Sequence, residues 1–132
     1  MAKLKTFAYI CIGFAMSLVT SKMMNLEQSI IAIASLPFIG LLHEILHFMM
    51  INAVKAQYKL VVRGFYIGFN VNVERIEDFI AIALAPQAIS LFLAMLYMFT
   101  YSNVLLVLMF IHIAISLEDL HKSIKYARQV LY

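Results

Sequence analysis

The sequence predicts a membrane α-helical protein with about four transmembrane helices and a small β-hairpin at the cytoplasmic surface between helices two and three. Three observations carry that prediction. Of 132 residues, 64% are hydrophobic and only 13% are charged, against about 25% charged in a soluble domain. The charges are bunched, so that long uncharged runs separate them. Between two of those runs, from Phe65 to Glu74, apolar and polar residues alternate strictly, the period of a strand rather than a helix.

The same arithmetic excludes other classes. Disorder requires low hydrophobicity and high net charge, whereas the net charge here is +3. A disulfide scaffold requires paired cysteines, and Cys11 stands alone. No basic patch with interleaved aromatics marks a nucleic-acid interface, so the expected environment is the lipid bilayer, with no nucleic acid partner.

The whole chain, 1–132, reads as a single membrane domain. Sixteen uncharged residues lie between Lys5 and Lys22, enough to cross a ~30 Å hydrocarbon core if the flanking lysines snorkel. This predicts a first span at about 6–24. A signal peptide is the competing reading, disfavoured because the apolar run is long and no small-residue cleavage site follows it. The 27 residues between Glu27 and Lys55 carry one charge, Glu44, and predict a second span at about 30–54. Pro37 and Gly40 stand within it, where a kink or a broken helix is expected. From Phe79 to Leu117 no charge occurs over 39 residues, too long for one crossing at about 20 residues. The run splits at Tyr101, Ser102 and Asn103 into spans at about 79–100 and 103–120.

Between the second and third spans, Phe65, Ile67, Phe69, Val71 and Val73 alternate with Tyr66, Gly68, Asn70, Asn72 and Glu74. With the β-forming run Tyr58 to Val62 before it, and Arg63 and Gly64 to turn the chain, a hairpin at about 58–74 follows. It either lies on lipid by its greasy face or takes up an extended peptide along its free edge. After the last span, apolar residues at 117, 120, 124, 127 and 131 among basic ones predict an amphipathic tail, 117–131, on the membrane surface. Four spans place both termini and the hairpin on one side, with nine of the ten basic residues. By the positive-inside rule that side is cytoplasmic, so the expectation is a multi-pass integral membrane protein with both termini cytoplasmic.

Against this background one polar cluster stands out: His43-Glu44-Ile45-Leu46-His47. Residues four apart share a helix face, so both imidazoles reach one metal ion while Glu44 projects beside them. Each ionisable group at membrane depth costs about 2.5–3.5 kcal/mol, so three within five residues call for a compensating cation. Zn2+ suits imidazole donors, and a catalytic zinc takes three protein ligands and leaves one position open. Glu44 is then the catalytic base, taking a proton from water and handing it to the leaving amine. The third ligand is open among Asp119, His112, Glu118 and His121. Glu118 also pairs with Lys122 four residues on. His112, two turns before Asp119 on nearly the same face, also fits a hydrogen bond within the bundle. His121 falls opposite Asp119 on the helical wheel. For Asp119 to meet His47, the ends of their two helices must be staggered.

These residues resemble a family, the intramembrane zinc metalloproteases of the site-two protease type, and especially the small zincin-like peptidases of prokaryotic membranes. The resemblance runs from about Leu36 to Ala127. It rests on the motif at 43–47 in a membrane helix, the β-segment after it, a helix with Leu84-Ala85-Pro86, and a late helix ending in Ser116-Leu117-Glu118-Asp119-Leu120. It implies that Asp119 completes the zinc site and that Pro86 is the family's proline in the intervening helix. It also implies a prokaryotic cell membrane as the location. Two features depart from the site-two pattern: no glycine follows Asp119, and the asparagine expected after the proline is replaced, with Gln87 and Ser90 the nearest polar residues.

The leading functional reading is a zinc-dependent intramembrane peptidase acting on membrane-embedded or membrane-adjacent protein or peptide substrates. Gln87, Asn70 and Asn72 are candidates for the oxyanion or substrate contacts. Two other readings compete: divalent-metal binding or transport, which needs no proton shuttle at Glu44, and a catalytically inactive protein that binds membrane partners. Cys11 and the nine methionines read as apolar packing.

Overall fold

The computed structural model describes residues 22, 24–63 and 66–131. The expected span at 6–24 lies almost wholly outside them, as do Gly64 and Phe65 at the hairpin turn. The described elements are helix α1 (Leu26–Ala53), strands β1 (Gln57–Arg63) and β2 (Tyr66–Asn72), and helices α2 (Ile76–Leu84), α3 (Gln87–Thr100) and α4 (Asn103–Leu131). Among them, three stretches are long and apolar enough to cross a membrane: Leu26–Ala53, Ile76–Thr100 and Asn103–Lys125. Their outward side chains are large and greasy, with Phe38 73% and Phe99 78% exposed, the pattern of a surface solvated by lipid. This is a membrane protein, mostly helical, with a small two-stranded antiparallel sheet.

Helix α1 begins at a reciprocal cap. The Gln28 N–H donates to Asn25 Oδ1 at 2.8 Å, and the Asn25 N–H donates to Gln28 Oε1 at 3.2 Å, which satisfies two of the donors a helix start leaves orphaned. The helix passes Pro37 without a break in its 28 residues, where the sequence raised a kink or a broken helix. Among the described residues a Cβ at Gly40 meets nothing within 4 Å. The helix ends in a left-handed turn at Lys55, φ 55°. The Lys55 N–H donates to Asn52 O at 3.1 Å and the Ala56 N–H to Ile51 O at 3.0 Å. This double bond caps the last carbonyls and offsets the unfavourable φ.

The chain then enters the hairpin. Its strands pair antiparallel, from Gln57 opposite Asn72 to Arg63 opposite Tyr66. Period two puts Tyr58, Leu60, Val62, Phe69 and Val71 on one face. That face meets the end of α1 through three rings: Phe48 lies 5.7 Å from Tyr58 and 5.9 Å from Phe69, and Tyr58 lies 5.8 Å from Phe69.

Pro86 separates α2 from α3. A left-handed residue at Tyr101, φ 52°, separates α3 from α4. Helix α4 runs unbroken for 29 residues, so the tail expected at 117–131 is the continuation of the same helix.

The chain divides into two compact units. Of the described residues, one comprises those up to Gly40 together with Gln87–Glu118, and the other those of Leu41–Pro86 and those from Asp119 onward. In the first, Ile89, Leu93, Val107, Leu108 and Ala114 are buried, and the imidazole of His112 is buried among them at 0% exposure. In the second, Ile51, Ile82, Ala83 and Pro86 are buried together with His43.

Candidate metal centre

Helical periodicity sets His43 and His47 one turn apart on α1, and α4 brings Asp119 to them. His43 Nε2 lies 3.2 Å from Asp119 Oδ2 and 3.2 Å from His47 Nε2, and His47 Nε2 lies 3.4 Å from the same Oδ2. Three donor atoms thus form a nearly equilateral triangle, the one such metal-competent group found among the described residues. A tetrahedral zinc with bonds of about 2.0–2.1 Å spaces its donors about 3.3 Å apart. Two imidazoles and a carboxylate are also a donor set that zinc accepts.

Hydrogen-bond logic adds a stronger test of fit. The His47 Nδ1 lies 2.8 Å from the Ile82 carbonyl oxygen, which only accepts, so Nδ1 carries the proton. In neutral His47 the other nitrogen, Nε2, then holds a bare lone pair. That lone pair faces the oxygen of Asp119, itself an acceptor when ionised. Two acceptors at this distance repel unless a proton or a cation lies between them. Such a cluster suits a positive charge at its centre, and the Ile82 carbonyl fixes which nitrogen of His47 faces it.

Two further charges flank the triangle. Glu44 is half-buried and lies within electrostatic reach of His43, His47, Asp119 and Lys122. Lys122 Nζ lies 3.9 Å from Asp119 Oδ1, so the oxygen of Asp119 that does not face the imidazoles has a cation beside it. Ser123 Oγ, one turn on from Asp119, donates to its backbone carbonyl at 2.8 Å.

A family model described as "Putative zincin peptidase" matches residues 36–129, more than half of the chain. The chain belongs to this family. Zincin peptidases are zinc metallopeptidases by description, and the matched segment spans the whole cluster from His43 to Asp119. Zinc, the metal the family implies, is also the one the donor set and spacing fit. Neither the curated proteins nor the solved structures contain a match to the chain.

The structure sorts the other candidates. His112 does not join the triangle. Its Nδ1 is 2.7 Å from Ser90 Oγ and 3.4 Å from Ser116 Oγ, and Ser116 Oγ also donates to the His112 carbonyl at 2.6 Å. It is a buried polar knot linking α3 to α4 within its own unit. Glu118 is half-buried and His121 exposed, and neither belongs to the metal-competent group. Of the three candidate substrate contacts, Asn70 and Asn72 are exposed on β2. Asn72 lines a polar cavity of about 290 Å³ at the base of the hairpin, with Lys55, Glu74, Arg75 and Asp78. Gln87 differs from both: its Nε2 is buried and has no hydrogen-bond partner among the described residues. Sequence reasoning missed the Ile82 carbonyl altogether, because a backbone acceptor has no residue type to flag it.

Proposed function

We propose that this chain is an intramembrane zinc peptidase of the site-two type, hydrolysing peptide bonds of membrane-embedded or membrane-adjacent protein substrates. The observation that carries the reading is the convergence of two imidazole nitrogens and a carboxylate oxygen, with a further carboxylate beside them, on helices long and apolar enough to lie in a bilayer. Zinc held by His43, His47 and Asp119 supplies Lewis acidity for attack of water on a carbonyl. The chain's own groups do the rest. The Ile82 carbonyl holds the His47 ring in place, and Lys122 balances the outer oxygen of Asp119. The Glu44 carboxylate takes the proton of the attacking water and delivers it to the departing nitrogen.

The substrate is extended locally, because a helix engages the carbonyl to be cleaved in its own hydrogen bonds. The hairpin supports this reading: among the described residues it has only two strands, so each strand has an edge open to a third, supplied by the substrate. Gln87 is our candidate for the oxyanion donor, because its amide nitrogen is buried with no hydrogen-bond partner among the described residues. Nine of ten basic residues favour both termini and the hairpin on the cytoplasmic side, in a prokaryotic cell membrane.

Glu44→Gln separates this reading from metal transport. The variant should keep its zinc, because Glu44 lies outside the donor triangle, and should lose about 10²- to 10⁴-fold in peptide hydrolysis. Cleavage of a reconstituted membrane peptide at an undiminished rate would overturn the assignment of Glu44. Metal uptake into vesicles by both proteins, with no hydrolysis by either, would replace the peptidase with a transporter.

A further inference from the structure

In an α-helix the N–H of each residue donates to the carbonyl four residues back. At the end of α2 the Ala85 N–H does so, reaching Ala81 O at 3.0 Å. The next rung joins residue 86 to Ile82, but residue 86 is a proline and has no N–H. The Ile82 carbonyl thus loses its helical donor by covalent chemistry. Water does not replace it readily there, since Ile82 is only 6% exposed and Pro86 is fully buried, in a stretch apolar enough to lie in lipid. The donor that fills the place is the His47 Nδ1–H, at 2.8 Å. Pro37 provides the contrast. It removes the donor to the carbonyl of Ile33, yet Pro37 is exposed and Ile33 is 67% exposed, so the lost rung lies on the outside of the helix.

We propose that Pro86 is a positioning residue for the metal centre: lacking an N–H, it leaves the Ile82 carbonyl to the Nδ1–H of His47 and so fixes the tautomer that turns Nε2 toward the metal. Two orphaned groups are satisfied by one bond. A carbonyl without its rung gains a donor, and a ligand histidine gains the outer partner that selects its proton position. The inference rests on the zinc reading of His43, His47 and Asp119, but the hydrogen bond it names is present without the metal and is testable without it.

Pro86→Ala restores an N–H at position 86. That N–H takes the Ile82 oxygen along the helix axis, and His47 loses its fixed partner. Replacing residue 86 with L-lactic acid, the hydroxy analogue of alanine, removes the ring without adding an N–H. Zinc affinity is read by chelator competition and by the visible spectrum of the cobalt-substituted protein. The His47 tautomer is read by ¹⁵N NMR in zinc-free protein with the imidazoles neutral. The expected result is a 10- to 100-fold loss of zinc affinity in Pro86→Ala, an altered cobalt spectrum, and a mixture of His47 tautomers. The lactic-acid protein should stay within about threefold of the parent, the small change expected when the outer partner is kept, with Nδ1–H retained. Equal losses in both variants would assign the effect to the proline ring and overturn the proposal. So would full affinity with Nδ1–H retained in Pro86→Ala, or an Nε2–H tautomer in the parent. A parent that binds no zinc yet shows the tautomer shift would sink the zinc reading, and the metal-positioning role with it, while confirming that Pro86 sets the His47 tautomer.

Discussion

Phe48 joins α1, the helix of His43 and His47, to the hairpin, and its removal should release the hairpin while sparing the candidate metal centre. The ring lies 5.7 Å from that of Tyr58 and 5.9 Å from that of Phe69. Phe48→Ala deletes both pairs, each worth about 0.5–1.5 kcal/mol beyond area burial, for a total of about 1–3 kcal/mol. A lone two-stranded hairpin is marginal by itself, so this loss falls directly on its docking equilibrium, a shift of roughly 5- to 150-fold. Hydrogen exchange of the amides at 58–62 and 68–72 in nanodiscs should accelerate by that factor. Zinc content should not change. If the hairpin holds substrate, KM for a membrane peptide should rise while kcat holds. Exchange unchanged within about twofold would refute the claim that the ring cluster anchors the hairpin, since the smallest expected shift is about fivefold. Loss of zinc would show that Phe48 acts instead through its neighbour His47.

Two further variants test the reading elsewhere. Gly40→Ala should stabilise the protein by about 0.5–1 kcal/mol, because Gly40 lies inside α1 and among the described residues a Cβ there meets nothing within 4 Å; a lower melting temperature would refute this. Gln87→Leu removes a buried amide nitrogen that has no partner among the described residues and should raise stability by about 1 kcal/mol. If Gln87 is the oxyanion donor, the same variant should lose about 10²-fold or more in kcat, and a stabilised variant of full activity would exclude that role.

The metal motif was legible because its chemistry is local. Helical spacing alone puts His43 and His47 on one face, and their cost in an apolar span calls for a cation. Asp119 was legible only as one of several candidates, singled out by resemblance. Spacing treats it and His112 alike, as residues two turns apart on one helix. What separates them is that Ser90 and Ser116 engage the Nδ1 of His112, a fact of packing between helices that no spacing encodes. The prolines make the same point. Pro37 lies within an unbroken helix and is exposed, whereas Pro86 lies just past the end of one and is buried, a difference that residue type does not carry. The Ile82 carbonyl was invisible in the sequence, although Pro86 four residues later is its trace. The hairpin was legible from its period of two, while its anchoring by Phe48 was not, because Phe48 belongs to a helix whose apolar residues all look alike.

Metal analysis of the purified protein tests most directly whether His43, His47 and Asp119 hold one zinc ion. The parent should carry one zinc per chain. His43→Ala and Asp119→Ala should each lose it, and Glu44→Gln should not. Full zinc in Asp119→Ala would remove the aspartate from the metal centre, and a parent free of zinc after gentle extraction would contradict the account as a whole.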